Sequence, residues 1–242
     1  MKHKKALIDA KRGQVFTKLI KEITACARAG GGNTDTNAAL RTSIAKAKEA
    51  NMPSDNVDRA VKRGTGELPG VTYEQITYEG YGPAGVAILV DTLTDNKNRT
   101  TSELRNIFSK KGGNLAGAGS VAWIFQKKGY FLVEKSTIDE DALMSVVLDA
   151  GAEDMKVEDD VYEITTPPAS FDAVKKVLAE KKIPTKTAEL TMIPSSTIKL
   201  AGGDAKQILM LVDQLEEHDD VQNVYANFDV PDEVLKEVEG EK

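Results

Sequence analysis

The sequence predicts an α+β chain: an N-terminal three-helix domain followed by two ferredoxin-like βαββαβ domains, one inserted in the other. Three observations lead there. Residues 14–63 carry apolar side chains at helical spacing, interrupted by glycine and proline. Beyond residue 70 the period shortens to that of strands. Strand and helix patterns then recur so that one complete βαββαβ run, 129–193, falls in the middle of another. The expected domains are 1–70, 71–127 joined to 195–242, and 128–194.

The helical part comes first. From Gln14 to Ala29 the residues Phe16, Leu19, Ile20, Ile23 and Ala27 form one stripe, and Lys18, Lys21 and Arg28 lie opposite it. Gly30-Gly31-Gly32 ends that helix, because glycine takes the left-handed conformation of a helix terminus without strain. After the cap-rich run 33–37, a second helix spans Ala38 to Ala50, with Leu40, Ile44 and Ala47 inward. Pro53 opens a third; Asp55 and Asp58 suit its positive end and Lys62-Arg63 its negative end. The core these helices share is thin, and alone it would be marginal.

Residues 64–70 read as a linker. Tyr73–Glu79 and Val86–Val90 follow as strands, then a helix over 100–111 with Thr100 and Glu103 at capping-box spacing, then a strand at Val121–Phe125. The inserted unit reads as strand 130–133, helix 139–149, strands 155–157 and 162–165, helix 171–180 and strand 186–192. Thr197–Leu200, Ala205–Glu217 and Val221–Phe228 read as strand, helix and strand, completing the interrupted domain.

Charge is divided unevenly. Residues 1–66 hold 14 Lys and Arg against 6 Asp and Glu, a net of +8, and the remainder holds 18 against 32, a net of −14. A basic module on an acidic body points to a polyanionic partner. Lys2, Lys4, Lys5, Lys11, Arg12, Lys18, Lys21 and Arg28 are the first candidates for phosphate contact. Arg41, Lys48, Arg59, Lys62 and Arg63 widen that footprint. Asn96, Asn98 and Arg99, in a polar loop entering a helix, form a second candidate surface, with a capped turn of exposed polar residues as the equal alternative. No helix gathers the Asn, Gln and Arg cluster that reads base edges, so backbone or shape recognition is expected.

Other chemistries find little support. One cysteine and two histidines make a zinc site untenable, and neither histidine sits in a nucleophile pattern, so no enzyme and no cofactor is expected. Glu216-Glu217-His218-Asp219-Asp220 reads as a solvated helix end. Gly113–Ser120 lacks the Lys-Ser/Thr ending of a phosphate loop and reads as a turn. Lys128-Gly129-Tyr130-Phe131 bears a faint likeness to an RNA-recognition motif, but on the first strand, where Tyr130 and Phe131 are expected to pack. No apolar run reaches the ~20 residues of a membrane span, so the expected location is the cytoplasm.

The chain resembles the YebC/PmpR family, which includes the mitochondrial translational activator of cytochrome oxidase subunit I. The likeness rests on Lys2-His3-Lys4-Lys5, Asp9-Ala10-Lys11-Arg12-Gly13, Phe16-Thr17-Lys18-Leu19-Ile20, Gly30-Gly31-Gly32 and Ala50-Asn51-Met52-Pro53. It continues in Tyr78-Glu79-Gly80-Tyr81-Gly82-Pro83, Thr94-Asp95-Asn96-Lys97-Asn98-Arg99-Thr100 and Lys111-Gly112-Gly113-Asn114-Leu115. Members usually carry a short arm, Met-Ala-Gly-His-Ser-Lys-Trp, ahead of the first of these runs, whereas this sequence reads Met1-Lys2-His3. The resemblance implies a three-domain molecule that binds promoter DNA as a transcriptional regulator, or ribosomal RNA as a ribosome-associated factor easing stalled translation. Shape recognition favours structured RNA, and the family's label favours DNA. A protein-interaction adaptor that does not touch nucleic acid is the alternative.

Overall fold

The computed structural model describes the backbone of residues 2–231 and 234, and the side chains of 12–231 and 234. The first helix, α1 (Lys2–Gly30), starts well before the expected Gln14. Gly13 alone costs about 1 kcal/mol in a helix, too little to stop one flanked by good helix formers. Its end is as expected: Gly31 takes φ +79° and donates to the Ala27 carbonyl at 2.9 Å. Asn37 then joins two helices. Its Oδ1 accepts from the Leu40 N–H, capping α2 (Ala38–Glu49), and its amide donates to the carbonyls of Cys26 and Gly31. The third helix, α3 (Ser54–Thr65), follows Pro53 and ends at Gly66 in the left-handed region. Leu19, Ile23, Ala27, Leu40, Ala47, Met52, Val57 and Ala60 form the core of this region. Gly64 lets α3 close on α1, since a Cβ there would lie 2.5 Å from the Thr24 carbonyl oxygen.

Next come β1 (Glu74–Tyr81), β2 (Ala87–Thr94), α4 (Lys97–Lys110) and β3 (Asn114–Ala116). Two expectations fail here. The helix does not begin at a Thr100–Glu103 capping box: Asn96 caps α4 by accepting from the Arg99 N–H at 3.1 Å, and Thr100 is buried inside it. Nor do residues 121–125 form a strand of their own: only Phe125 is extended, and it opens the next strand. The N–H groups of Gly119, Val121 and Ala122 donate to the buried Glu79 carboxylate at 2.6–2.8 Å, so they are not offered to a ladder, and 122–124 is a 3₁₀ turn.

The chain then runs through β4 (Phe125–Glu134), α5 (Glu140–Asp149), β5 (Asp154–Val157), β6 (Val161–Thr166), α6 (Phe171–Glu180) and β7 (Thr187–Pro194). Its sheet order is β5-β6-β4-β7, antiparallel throughout, the arrangement a βαββαβ run requires. Phe131 packs as expected, buried and stacked on Phe171 with ring centroids 4.9 Å apart. Tyr130 does not join that core. Strand alternation turns it to the opposite face, where its hydroxyl donates to Glu163 Oε1 at 2.7 Å.

The last elements are β8 (Ile198–Lys199), α7 (Gly202–Glu216), β9 (Val221–Ala226) and β10 (Phe228–Asp229). They complete a second antiparallel sheet, β3-β1-β2-β9. Segment 197–200 was expected to supply its third strand, but that place belongs to β1, and β8 pairs with β10 in a small parallel ribbon. The eight-residue β1 matches β2 along its whole length, which a two-residue β8 could not do. Phe108, Ile88, Val90, Ile208, Leu211 and Leu215 fill the core between this sheet and α4 and α7. The chain divides into two compact units, Met1–Ala122 with Ile198–Lys242, and Trp123–Thr197.

Candidate nucleic-acid interface

The helical region sorts its cations into two groups. On α3, Arg59, Lys62 and Arg63 are exposed at i, i+3 and i+4, one face of a helix whose other face buries Val57, Ala60 and Gly64. On α2, Arg41 and Lys48 are exposed two turns apart on a common side. Arg12, exposed, lies over the Phe16 ring at 5.3 Å, and Arg28 donates to Thr72 Oγ1 at 2.9 Å. These seven residues present charge to solvent. The side chains of Lys2, Lys4, Lys5 and Lys11 lie outside the described residues.

The second group faces inward. Gln14, Lys18 and Lys21 follow one another at i, i+4 and i+7, a single stripe of α1, and that stripe is laid on the C-terminal end of α7. Gln14 donates to the Glu217 carbonyl at 3.0 Å, Lys18 to the Glu216 carbonyl at 2.5 Å, and Lys21 to the Asp219 carbonyl at 3.0 Å. Helix C-termini leave carbonyls without intrahelical donors and carry partial negative charge, so cations are at home there. Burial pulls the Lys18 ammonium below its usual range, against the raising effect of Glu216 and Asp219.

Asp220 is the centre of this contact. It is 2% exposed and accepts from Lys21 Nζ at 2.5 Å, Arg99 Nη2 at 2.8 Å and Thr100 Oγ1 at 2.7 Å. Burial alone would push its carboxyl up; the hydrogen bonds from Lys21, Arg99 and Thr100 outweigh that and hold it well below the usual carboxylate range. The expected second surface is therefore largely engaged. Asn96 is a helix cap, Arg99 is shared between Asp95 and Asp220, and Asn98 is exposed.

A cleft of about 680 Å³ opens beside this cluster. Lys21 and Arg99 line it, but so do Asp95, Glu103, Glu217, Asp219 and Asp220, so with the end of α7 in place its field repels phosphate. Nor does the trio Glu103, His218 and Asp220, close enough to hold a cation, suit one. His218 Nδ1 accepts the Asp220 N–H at 3.1 Å, which in the neutral ring puts the proton on Nε2, the atom 2.8 Å from Glu103 Oε2. No lone pair is left there for a metal, and Asp220 is already neutralised by two cations.

Asp220 and Glu79 were both missed in the sequence. For Asp220 a signal exists: acidic residues at a helix C-terminus oppose its dipole, so a run such as Glu216–Asp220 calls for a cation from elsewhere. A lone carboxylate in a strand, as at Glu79, gives none.

Residues 1–67 match the family model described as the TACO1/YebC protein N-terminal domain, and residues 73–228 match that of the TACO1/YebC second and third domain. The chain belongs to the TACO1/YebC family. The first TACO1/YebC model takes in α1, α2 and α3, and the second takes in both sheets. Relatives from Dictyoglomus turgidum and Syntrophus aciditrophicus, each called a probable transcriptional regulatory protein, are both 54% identical over 98% of this chain, covering 95% and 96% of their own lengths. The crystal structure of a conserved hypothetical protein from Aquifex aeolicus has a TM-score of 0.80 at 44% identity and covers 93% of each chain. Among the described residues of this TACO1/YebC chain, no helix is long and apolar enough to cross a membrane.

Proposed function

We propose that the protein is a non-enzymatic regulator of gene expression in the cytoplasm that binds nucleic acid through its N-terminal helices. The observation that carries this reading is the exposed face Arg59, Lys62 and Arg63 on α3, with Arg41 and Lys48 on α2. Such a face neutralises phosphates and releases counterions, giving affinity with steep salt dependence and little base discrimination. The relatives' names support a regulatory role. The acidic remainder of the chain, net −14 over residues 67–242, orients the molecule by keeping its other surfaces off the polyanion.

Promoter DNA and ribosomal RNA are both targets of the required chemistry. A backbone-reading surface favours structured RNA, whose 2′-hydroxyls and shape are read without a base code. The test is crosslinking in cells followed by sequencing of the bound nucleic acid, for the natural chain and for Arg59→Glu/Lys62→Glu/Arg63→Glu. Ribosomal RNA lost in the variant assigns a translational role, and promoter DNA lost in it assigns a transcriptional one. Recovery of neither from the natural chain removes the proposal and leaves a protein adaptor.

A further inference from the structure

Part of the cationic surface is covered by the protein itself. Gln14, Lys18 and Lys21 extend over about 10 Å of α1 and donate to oxygens of residues 216–220. What they meet resembles a short stretch of polyanion: helix-terminal carbonyls with Glu216, Glu217, Asp219 and Asp220 around them. We propose that this end of α7 stands in for a phosphate backbone, and that nucleic acid competes with it for Lys18 and Lys21. The inference rests on the reading above that the helical region binds nucleic acid, and it assigns that surface a built-in competitor.

Two features make the contact exchangeable rather than a fixed part of the core. The apolar stripe of α1, Leu19, Ile23 and Ala27, is spent on the core shared with α2 and α3, and among the described residues the core between the sheet and α7 contains none from α1. The described part of the stripe therefore meets α7 through polar side chains beside an open cleft, and the half-buried Gln14 and Lys18 contacts are the ones a competing polyanion reaches first. Second, Asp220 keeps a partner in either state. When Lys21 leaves, Arg99 and Thr100 still donate to Asp220, so no orphaned buried charge opposes release. Lys21 in turn exchanges a carboxylate for a phosphate.

The test uses the full chain and a fluorescent DNA duplex, with a structured ribosomal RNA fragment run in parallel. Asp220→Asn keeps the shape and removes the competing charge. It is expected to bind several-fold tighter at fixed salt, with a log–log salt slope steeper by about one unit. Amide hydrogen exchange over residues 217–221 of the natural chain is expected to accelerate when nucleic acid is added to saturation. Slower or unchanged exchange there overturns the proposal, even if Asp220→Asn folds poorly. So does a well-folded Asp220→Asn that binds no tighter. If Arg59→Glu/Lys62→Glu abolishes binding while Asp220→Asn leaves it unaltered, the competitor is removed and the proposed function stands. A natural chain that binds neither probe removes both.

Discussion

Lys21 Nζ lies 2.5 Å from Asp220 Oδ1, across 199 positions of chain, and the lysine is only 9% exposed. A residue that periodicity assigns to the wet face of α1 is thus part of the interior of its unit. Its value to the fold is asymmetric: the pair replaces two hydrated ions and contributes modestly, but removing one member strands the other. Asp220→Ala leaves Lys21 and Arg99 without their shared acceptor and is expected to lower unfolding free energy by about 3–5 kcal/mol. Lys21→Met, which leaves Asp220 its Arg99 and Thr100 donors, is expected to cost less than half as much. Urea titrations of the two variants give the comparison.

Acid should loosen the same unit. Asp220 and Glu79 both titrate below their ordinary range. At Glu79 burial pushes upward, and N–H donors from Val121, Gly119, Ala122 and Ser120 outweigh it. An unfolded chain, whose carboxyls titrate near about 4, therefore takes up these protons first as pH falls. The stabilisation is complete at neutral pH and declines from about pH 5 downward. Urea midpoints measured from pH 7 to pH 3 should fall, and those of Glu79→Gln should fall less steeply from a lower starting value.

Gly64 sets how closely α1 and α3 approach. An alanine Cβ would sit 2.5 Å from the Thr24 carbonyl oxygen and 2.6 Å from the Ala27 Cβ, neither of which can turn aside. Alanine's intrinsic helical preference, about 1 kcal/mol, opposes the clash without cancelling it. A net loss of about 1–3 kcal/mol is expected for Gly64→Ala, seen as a lower thermal midpoint by circular dichroism at 222 nm.

Salt dependence separates phosphate contacts from incidental charge. Each of Arg59→Gln, Lys62→Gln and Arg63→Gln should weaken nucleic-acid binding and shrink the log–log salt slope by about one unit. Lys176→Gln, on the exposed side of α6 in the other unit, should leave the slope unchanged. Anisotropy titrations at a series of salt concentrations measure both.

The elements were legible where local chemistry decides them. Gly30-Gly31-Gly32 and Pro53 mark helix ends whatever surrounds them, and the 129–193 run is legible because its strand and helix periodicities stand in the order of one complete βαββαβ unit, a topology that itself places β4 beside the distant β7. Legibility was lost where a distant group decides. Thr100 has the spacing of a cap, yet Asp220, 120 residues away, takes its hydroxyl. Residues 121–125 have strand composition, yet Glu79, 42 and 43 residues upstream, takes the N–H groups of Val121 and Ala122. The candidate site divides in the same way. Exposure of Arg59, Lys62 and Arg63 follows from α3 alone, whereas the burial of Lys21 depends on α7, which no pattern within α1 reports.

The order of synthesis gives the clasp between Lys21 and Asp220 one more meaning. With 199 residues between them, ~10–40 s of elongation separates the appearance of the basic helix from that of the carboxylate that covers it. Each newborn copy therefore passes through an interval in which its whole cationic stripe is bare, beside the ribosome that is making it.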